Sequence, residues 1–179
     1  MLPATIRIRP IEPDDREALG VFYESLSADS LNRRFHGACR GIGDRAAGQF
    51  CGPDHEHREG LVALIGPDGT AASRIVGHLC LEPSEPDELE MAIAVADDFQ
   101  RQGIGRALLK AAIVWARRHG VRRLRASMRL GNGAIISLVA VAGLIWWALG
   151  QRPDESRYEV LRTLLGASSA VAPSASEHP

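Results

Sequence analysis

Ile93-Ala94-Val95-Ala96-Asp97-Asp98-Phe99-Gln100-Arg101-Gln102-Gly103-Ile104-Gly105-Arg106-Ala107-Leu108-Leu109 runs from an apolar segment, through a turn with two glycines, into a helical pattern. Leu89 to Val95 reads as a strand. Ile104, Leu108, Ala112 and Trp115 recur on one helical face up to Gly120, which stands where a helix C′ glycine belongs. A glycine turn between strand and helix aims backbone N–H groups outward at the positive end of the helix dipole, with no Cβ to block an approaching anion. Arg101, Arg106 and Lys110 add full charges there. Residues 101–129 hold nine basic and no acidic side chains, so the rest of the chain carries −10 against an overall −1, and a local anion site is implied. On pattern alone, a turn that binds no phosphate is the competing reading. The third glycine of a dinucleotide fingerprint and the Gly-Lys-Ser/Thr ending of a triphosphate loop are both missing.

Working outward, Ile6-Arg7-Ile8-Arg9 alternates with period two up to Pro10 and reads as a first strand. Pro13-Asp14-Asp15 then places acidic capping residues ahead of a helix whose apolar face is Ala18, Leu19, Val21 and Phe22. Residues 25–53 carry no clear period. Leu61 to Ile65 and Arg74 to Leu79, separated by Gly66-Pro67-Asp68-Gly69, read as a hairpin, and Pro83 to Asp87 as a turn. Val121 to Ser127 predicts a strand that closes a strand-helix-strand crossover, and Arg157 to Leu165 a last strand. Gly166 to Pro179 is a Ser/Ala/Pro-rich tail with too little to bury.

At 179 residues, with 45% apolar and 24% charged residues, the chain has the length and composition of one globular domain. Its near-neutral balance offers no electrostatic case for a nucleic-acid partner. Cys39, Cys51 and Cys80 are odd in number and lack metal-ligand spacing, and the start has no signal-peptide core, so a cytoplasmic protein is expected. Cys51, His55 and His57 do not share one face outside a strand and lack a fourth ligand, so no metal site is assigned. From Leu130 to Gly150 there is no charged side chain, which is long enough for a membrane span. Gly131, Gly133 and Gly143 interrupt it, which counts against a span. The apolar segment 134–142 is a candidate surface for a homodimer.

The run from Ile93 to Leu109 resembles the signature of the GNAT superfamily of acyl-CoA-dependent N-acyltransferases, Arg/Gln-x-x-Gly-x-Gly/Ala after a valine-ended strand. The resemblance extends to Asn132 followed by Gly143-Leu144, and back to Ile6–Ile11 and Pro13-Asp14-Asp15, covering roughly residues 5–165. It implies one GNAT-like domain over residues 1–165: an α/β chain of the α+β type, with a mixed, mostly antiparallel sheet flanked by helices and two central parallel strands that splay apart. Acetyl-CoA would lie in that gap as the acyl donor. Its pantetheine arm would pair with the backbone of Ile93, Ala94 and Val95, and its pyrophosphate would sit on the N–H groups of Arg101, Gln102, Gly103, Ile104, Gly105 and Arg106, with Asn132 contacting the arm.

Amide formation from a thioester needs a base for the ammonium, donors for the oxyanion and an exit for the thiolate. Glu90 resembles the glutamate of the A-E-x-A stretch in the protein-lysine acetyltransferases of this superfamily and is the expected base, aided if partial burial raises its pKa. A backbone N–H around Val95 is the implied oxyanion donor. Two departures stand out: Val139 occupies the position where many members carry a general-acid Tyr, and Ser127 the position of the glutamate in ribosomal-protein N-terminal acetyltransferases. Leu26 to Phe35 is similar to a segment that builds the acceptor side in the lysine-acetyltransferase-like branch, though a capped helix with solvated arginines reads equally well. The expected acceptor is a primary amine on a protein lysine or a small molecule, attacked directly in a ternary complex. A catalytically weak acyl-CoA-binding regulatory module is the alternative.

Overall fold

The alternating start forms strand β1 (Ile6–Pro10), and a 3-10 turn at Pro13–Asp15 leads into helix α1 (Arg16–Glu24). This is a computed structural model that describes residues 6–37, 40–66, 73–86 and 88–126. Ser127, Asn132, Val139, the apolar run 130–150, the last strand and the tail lie outside the described residues. The entry to α1 is held by Asp15, whose Oδ2 accepts the Glu12 N–H at 2.8 Å. Both of its oxygens also take Arg9 guanidinium donors at 2.7 Å. Desolvation pushes this carboxyl up, but the Arg9 hydrogen bonds and the Glu12 N–H outweigh it and leave the pKa lowered.

The stretch 25–53, unreadable by period, holds two short helices, α2 (Ala28–Phe35) and α3 (Asp44–Phe50). Ser27 is the N-cap of α2, its Oγ accepting the Ser30 N–H at 3.2 Å, and His36 ends the helix in the left-handed region. Helices this short give periodicity too few turns to register.

The hairpin expectation holds as β2 (Glu59–Ile65) and β3 (Arg74–Glu85) in antiparallel register. β3 extends to Glu85, beyond the point where Pro83 suggested a turn, and pairs with β4 (Glu88–Val95). The expected turn shrinks because Pro83 sits beside a register shift, where a missing N–H is tolerated. Helix α4 (Ile104–Arg118) ends before Gly120, which takes φ +73°. β5 (Arg123–Arg125) is shorter than the predicted Val121–Ser127 strand. The sheet order is β1-β2-β3-β4-β5, antiparallel except for the parallel β4–β5 pair.

One face of the sheet carries α4 through Ile104, Leu108, Leu109, Ala112, Ile113 and Ala116, all buried. Trp115, expected in that stripe, is half-buried and stacks on His119 at 4.1 Å between ring centroids. The helix approaches β3 at Gly77, where a Cβ would stand 3.0 Å from Leu108 Cδ1 and 3.2 Å from Ile104 Cγ2. The opposite face packs on α1, with Leu19, Phe22 and Tyr23 buried around His78. Because directly opposed residues share a face, Ala94, Ala92 and Glu90 lie on the His78 side, and Val95, Ile93 and Met91 on the α4 side.

Candidate active site

β4 is paired to β3 along its whole length, but its other edge meets β5 only at Glu88, Leu89 and Glu90. From Met91 to Val95 that edge has no strand partner among the described residues. The Ala96 N–H donates to Val76 O at 2.9 Å, which sets the phase of the ladder. Since bonding alternates along an antiparallel pair, Ala94 and Ala92 spend their N–H and C=O on β3, while Val95, Ile93 and Met91 direct theirs at the open edge. Gln100 Nε2 donates to the Val95 carbonyl at 3.1 Å, so Val95 offers that edge its N–H. An extended, amide-bearing chain has a ready template here.

The edge runs into the glycine turn. Arg101 takes φ +60° and Gly103 φ +86°, so the chain bends back through the left-handed region just before α4. α4 begins with no side-chain cap and no acidic residue in its first turn. A Cβ at Gly103 would meet nothing within 4 Å, so the space over the helix start is open. Arg101, Gln102, Gly103 and Arg106 are exposed around it, whereas Ile104 is buried. Open edge, positive-φ turn and uncapped helix start together fit an anionic group joined to an extended amide arm, which is the shape of coenzyme A.

The opposite face of β4 builds a second wall. Glu90 is exposed, opposite Glu82, so the partial burial that would aid it as a base is not found. Arg58 stands 3.6 Å from Glu82, while Glu88 pairs with Arg123 at 3.2 Å. Arg34, near the end of α2, donates from Nη2 to Cys80 Sγ at 3.2 Å and lies over the rings of Phe35 and Phe50. At the other end of α2, Ser27 and Ser30 bond to Asp97 just beyond β4. Thus α2 lies along the face that carries Ala94, Ala92 and Glu90.

Neither Cys51 nor Cys80 is poised to act. Burial pushes Cys80 up, with Arg34 opposing and Glu82 and Glu90 adding to the rise, and burial pushes Cys51 up to about 11. His78 is fully buried. Its Nδ1 shares a 2.8 Å hydrogen bond with Tyr23 Oη, and desolvation, with Arg34 assisting, drives its pKa down to about 3. The two histidines of the 51–57 segment pair with carboxylates: His55 Nδ1 lies 2.7 Å from Glu59 Oε1, and His57 Nδ1 3.3 Å from Asp54 Oδ2. Backbone N–H groups of His57, Arg58 and Glu56 hold the Asp54 carboxyl well below its usual range.

Sequence reasoning singled out the turn, Glu90 and, on the edge, Ile93, Ala94 and Val95; of these three Ala94 departs from the expectation, because its backbone is taken up by β3, and Asn132 lies outside the described residues. It missed Asp97 and Gln100 as organising residues, because their partners Ser27 and Ser30 are some 70 residues away and no local pattern links them.

The sheet with its open edge and glycine turn is the frame of the site, and residues 26–141 match the model of the Acetyltransferase (GNAT) family. The chain belongs to that family and is an acyl-CoA-dependent N-acetyltransferase. An acetyltransferase of Pseudomonas aeruginosa is 29% identical over 161 residues, covering 89% of this chain and 84% of the relative. Among solved structures, the GNAT domain of S. lividans PAT superposes with a TM-score of 0.68 at 28% identity, covering 77% of this chain and 80% of that one. The yncA protein of Salmonella typhimurium, solved with its cofactor acetyl-CoA, shares the fold with a TM-score of 0.62 at 22% identity, over 77% of this chain and 78% of that one.

Proposed function

We propose that the chain transfers the acetyl group of acetyl-CoA directly to a primary amine, that the amine is a lysine side chain of a protein, and that Glu90 is the base. One observation carries the reading: the edge of β4 from Met91 to Val95 is open and leads straight to an uncapped, glycine-opened helix start. When bound, acetyl-CoA supplies the activated acyl thioester. The N–H groups of Ile93 and Val95 orient the arm, with Ala94 between them setting their spacing. The backbone of residues 101–106 and the charges of Arg101 and Arg106 hold the pyrophosphate. Asn132 is assigned to the arm on the family resemblance alone.

Glu90 takes the proton of the incoming ammonium, which frees the nitrogen lone pair for attack. Its exposure, with Glu82 opposite and Glu85 and Glu88 along the same hairpin, supports an acceptor that is cationic and presented from outside, as a lysine on a protein surface is. The raised Cys80 and Cys51 thiols support direct transfer over an acyl-cysteine intermediate, since a protonated buried thiol is a poor nucleophile. The thiolate leaves without a dedicated acid, because a thiol is a stronger acid than an alkylammonium and its anion is therefore the weaker base. The buried free thiols also support a cytoplasmic setting.

The test is thiol release from acetyl-CoA with a panel of lysine peptides, free amino acids and polyamines. Peptide acetylation that falls by about 10²–10⁴ in kcat for Glu90→Gln, with the Kd for coenzyme A unchanged, is expected. Turnover confined to polyamines or amino acids overturns the protein acceptor, and an undiminished Glu90→Gln overturns the base.

A further inference from the structure

The Asp97 carboxylate joins two parts of the molecule that are otherwise separate in sequence. Its Oδ2 accepts the Ser27 N–H at 2.9 Å, and its Oδ1 accepts the hydroxyls of Ser27 at 3.0 Å and Ser30 at 2.6 Å. Gln100 closes the network, donating from one Nε2 toward Val95 O at 3.1 Å, Ser30 Oγ at 3.2 Å and Asp97 Oδ1 at 3.3 Å. Asp97 and Gln100 belong to the loop between β4 and the glycine turn, while Ser27 and Ser30 form the start of α2.

We propose that Asp97 is a positioning residue: its carboxylate ties the start of α2, which walls the amine side, to the loop that carries the donor side, so that seating coenzyme A on the turn fixes α2. The inference rests on the coenzyme A reading above. An isolated eight-residue helix is unstable in water, so α2 depends on its attachments. At its far end these are the buried Leu31, Phe35 against Tyr23 and Arg34 on Cys80; at its start Asp97 supplies the attachment across the sequence. The network is exposed, so each of its hydrogen bonds competes with water. It therefore holds conditionally. Anchoring residues 101–106 on an anion removes the freedom of the loop that bears Asp97 and Gln100, and coupling of this kind is reciprocal between the two sites. Partial desolvation pushes Asp97 up, but the hydrogen bonds from Ser30 and Ser27 outweigh it, and the group stays ionised as an acceptor at neutral pH.

Amide hydrogen exchange on the full chain, with and without coenzyme A, reads this directly. The reporters are the amides of Ser27, Ser30 and Leu31, bonded to Asp97 Oδ2, Ser27 Oγ and Ser27 O. In the wild type, coenzyme A should slow exchange about fivefold or more both in 97–106 and in 27–31. In Asp97→Ala the protection of 97–106 should persist while that of 27–31 falls below about twofold, and Ser30→Ala, which keeps both Ser27 contacts, should lie between. Comparing each variant with itself cancels general destabilisation, which a purely structural role would produce. Protection of 27–31 that is absent in the wild type, or equal in Asp97→Ala, overturns the proposal alone. Absence of protection in 97–106 of the wild type overturns the coenzyme A reading and this proposal with it.

Discussion

Acidification should unfold this protein through His78. The imidazole is fully buried, and its folded pKa of about 3 lies below the ordinary 6.5 because burial, with Arg34 assisting and Asp15 opposing, penalises the cation. Between those two values the unfolded chain binds a proton that the native state refuses. Stability is therefore complete above pH 6.5 and declines as pH falls toward 3. The loss between pH 7 and pH 5 comes to about 2 kcal/mol, and in this window Asp15, Asp54 and Asp97, all held below the usual carboxylate range, remain ionised. For a chain of this length that corresponds to a fall in Tm of roughly 4–8 °C. Thermal melts followed by circular dichroism at pH 7, 6 and 5 measure it, beside His78→Gln, which keeps a polar group for Tyr23 but takes no proton in the range. The variant should melt lower at pH 7 and depend less on pH. A wild-type Tm flat from pH 7 to 5, or a slope unchanged in the variant, would refute the reasoning.

Two glycines separate binding from packing. Gly103→Ala puts a Cβ in the left-handed region with no protein atom in its way, so it should cost about 1–2 kcal/mol of stability and weaken coenzyme A binding at least about tenfold by calorimetry. Gly77→Ala drives a methyl against Leu108 and Ile104 and should cost about 1–3 kcal/mol in urea unfolding while leaving the Kd for coenzyme A within about twofold. Asp15→Ala strips the Arg9 guanidinium of both carboxylate acceptors, leaving it only Pro10 O, and frees the Glu12 N–H, and chemical denaturation should show a loss of about 1.5–3 kcal/mol.

Long, strongly periodic segments were legible from residues alone. The Ile104–Arg118 helix, its Gly120 terminus, the hairpin and the strand ending at Val95 follow from hydrophobic spacing and from the conformations glycine permits. The glycine turn told of an anion because its meaning is local: a helix start, two residues without Cβ and neighbouring arginines all lie within ten positions. The capped-helix reading of Leu26 to Phe35 holds as α2 with its Ser27 cap, whereas α3 escaped, since two turns do not establish a period, and the length of β3 escaped because Pro83 argues for a turn until a register shift accommodates it.

By itself, then, the order of amino acids determined the strand-turn-helix unit and the chemistry suited to it, because those depend on neighbours in the chain. Tertiary structure alone decided that among the described residues the β4–β5 pairing ends at Glu90, which backbone groups of Met91, Ile93 and Val95 remain at the open edge, and that Asp97 meets Ser27 and Ser30. Each of these depends on register or on contact between distant segments. Pairing across a sheet is set by how two hydrophobic faces come together, and no single segment carries that information.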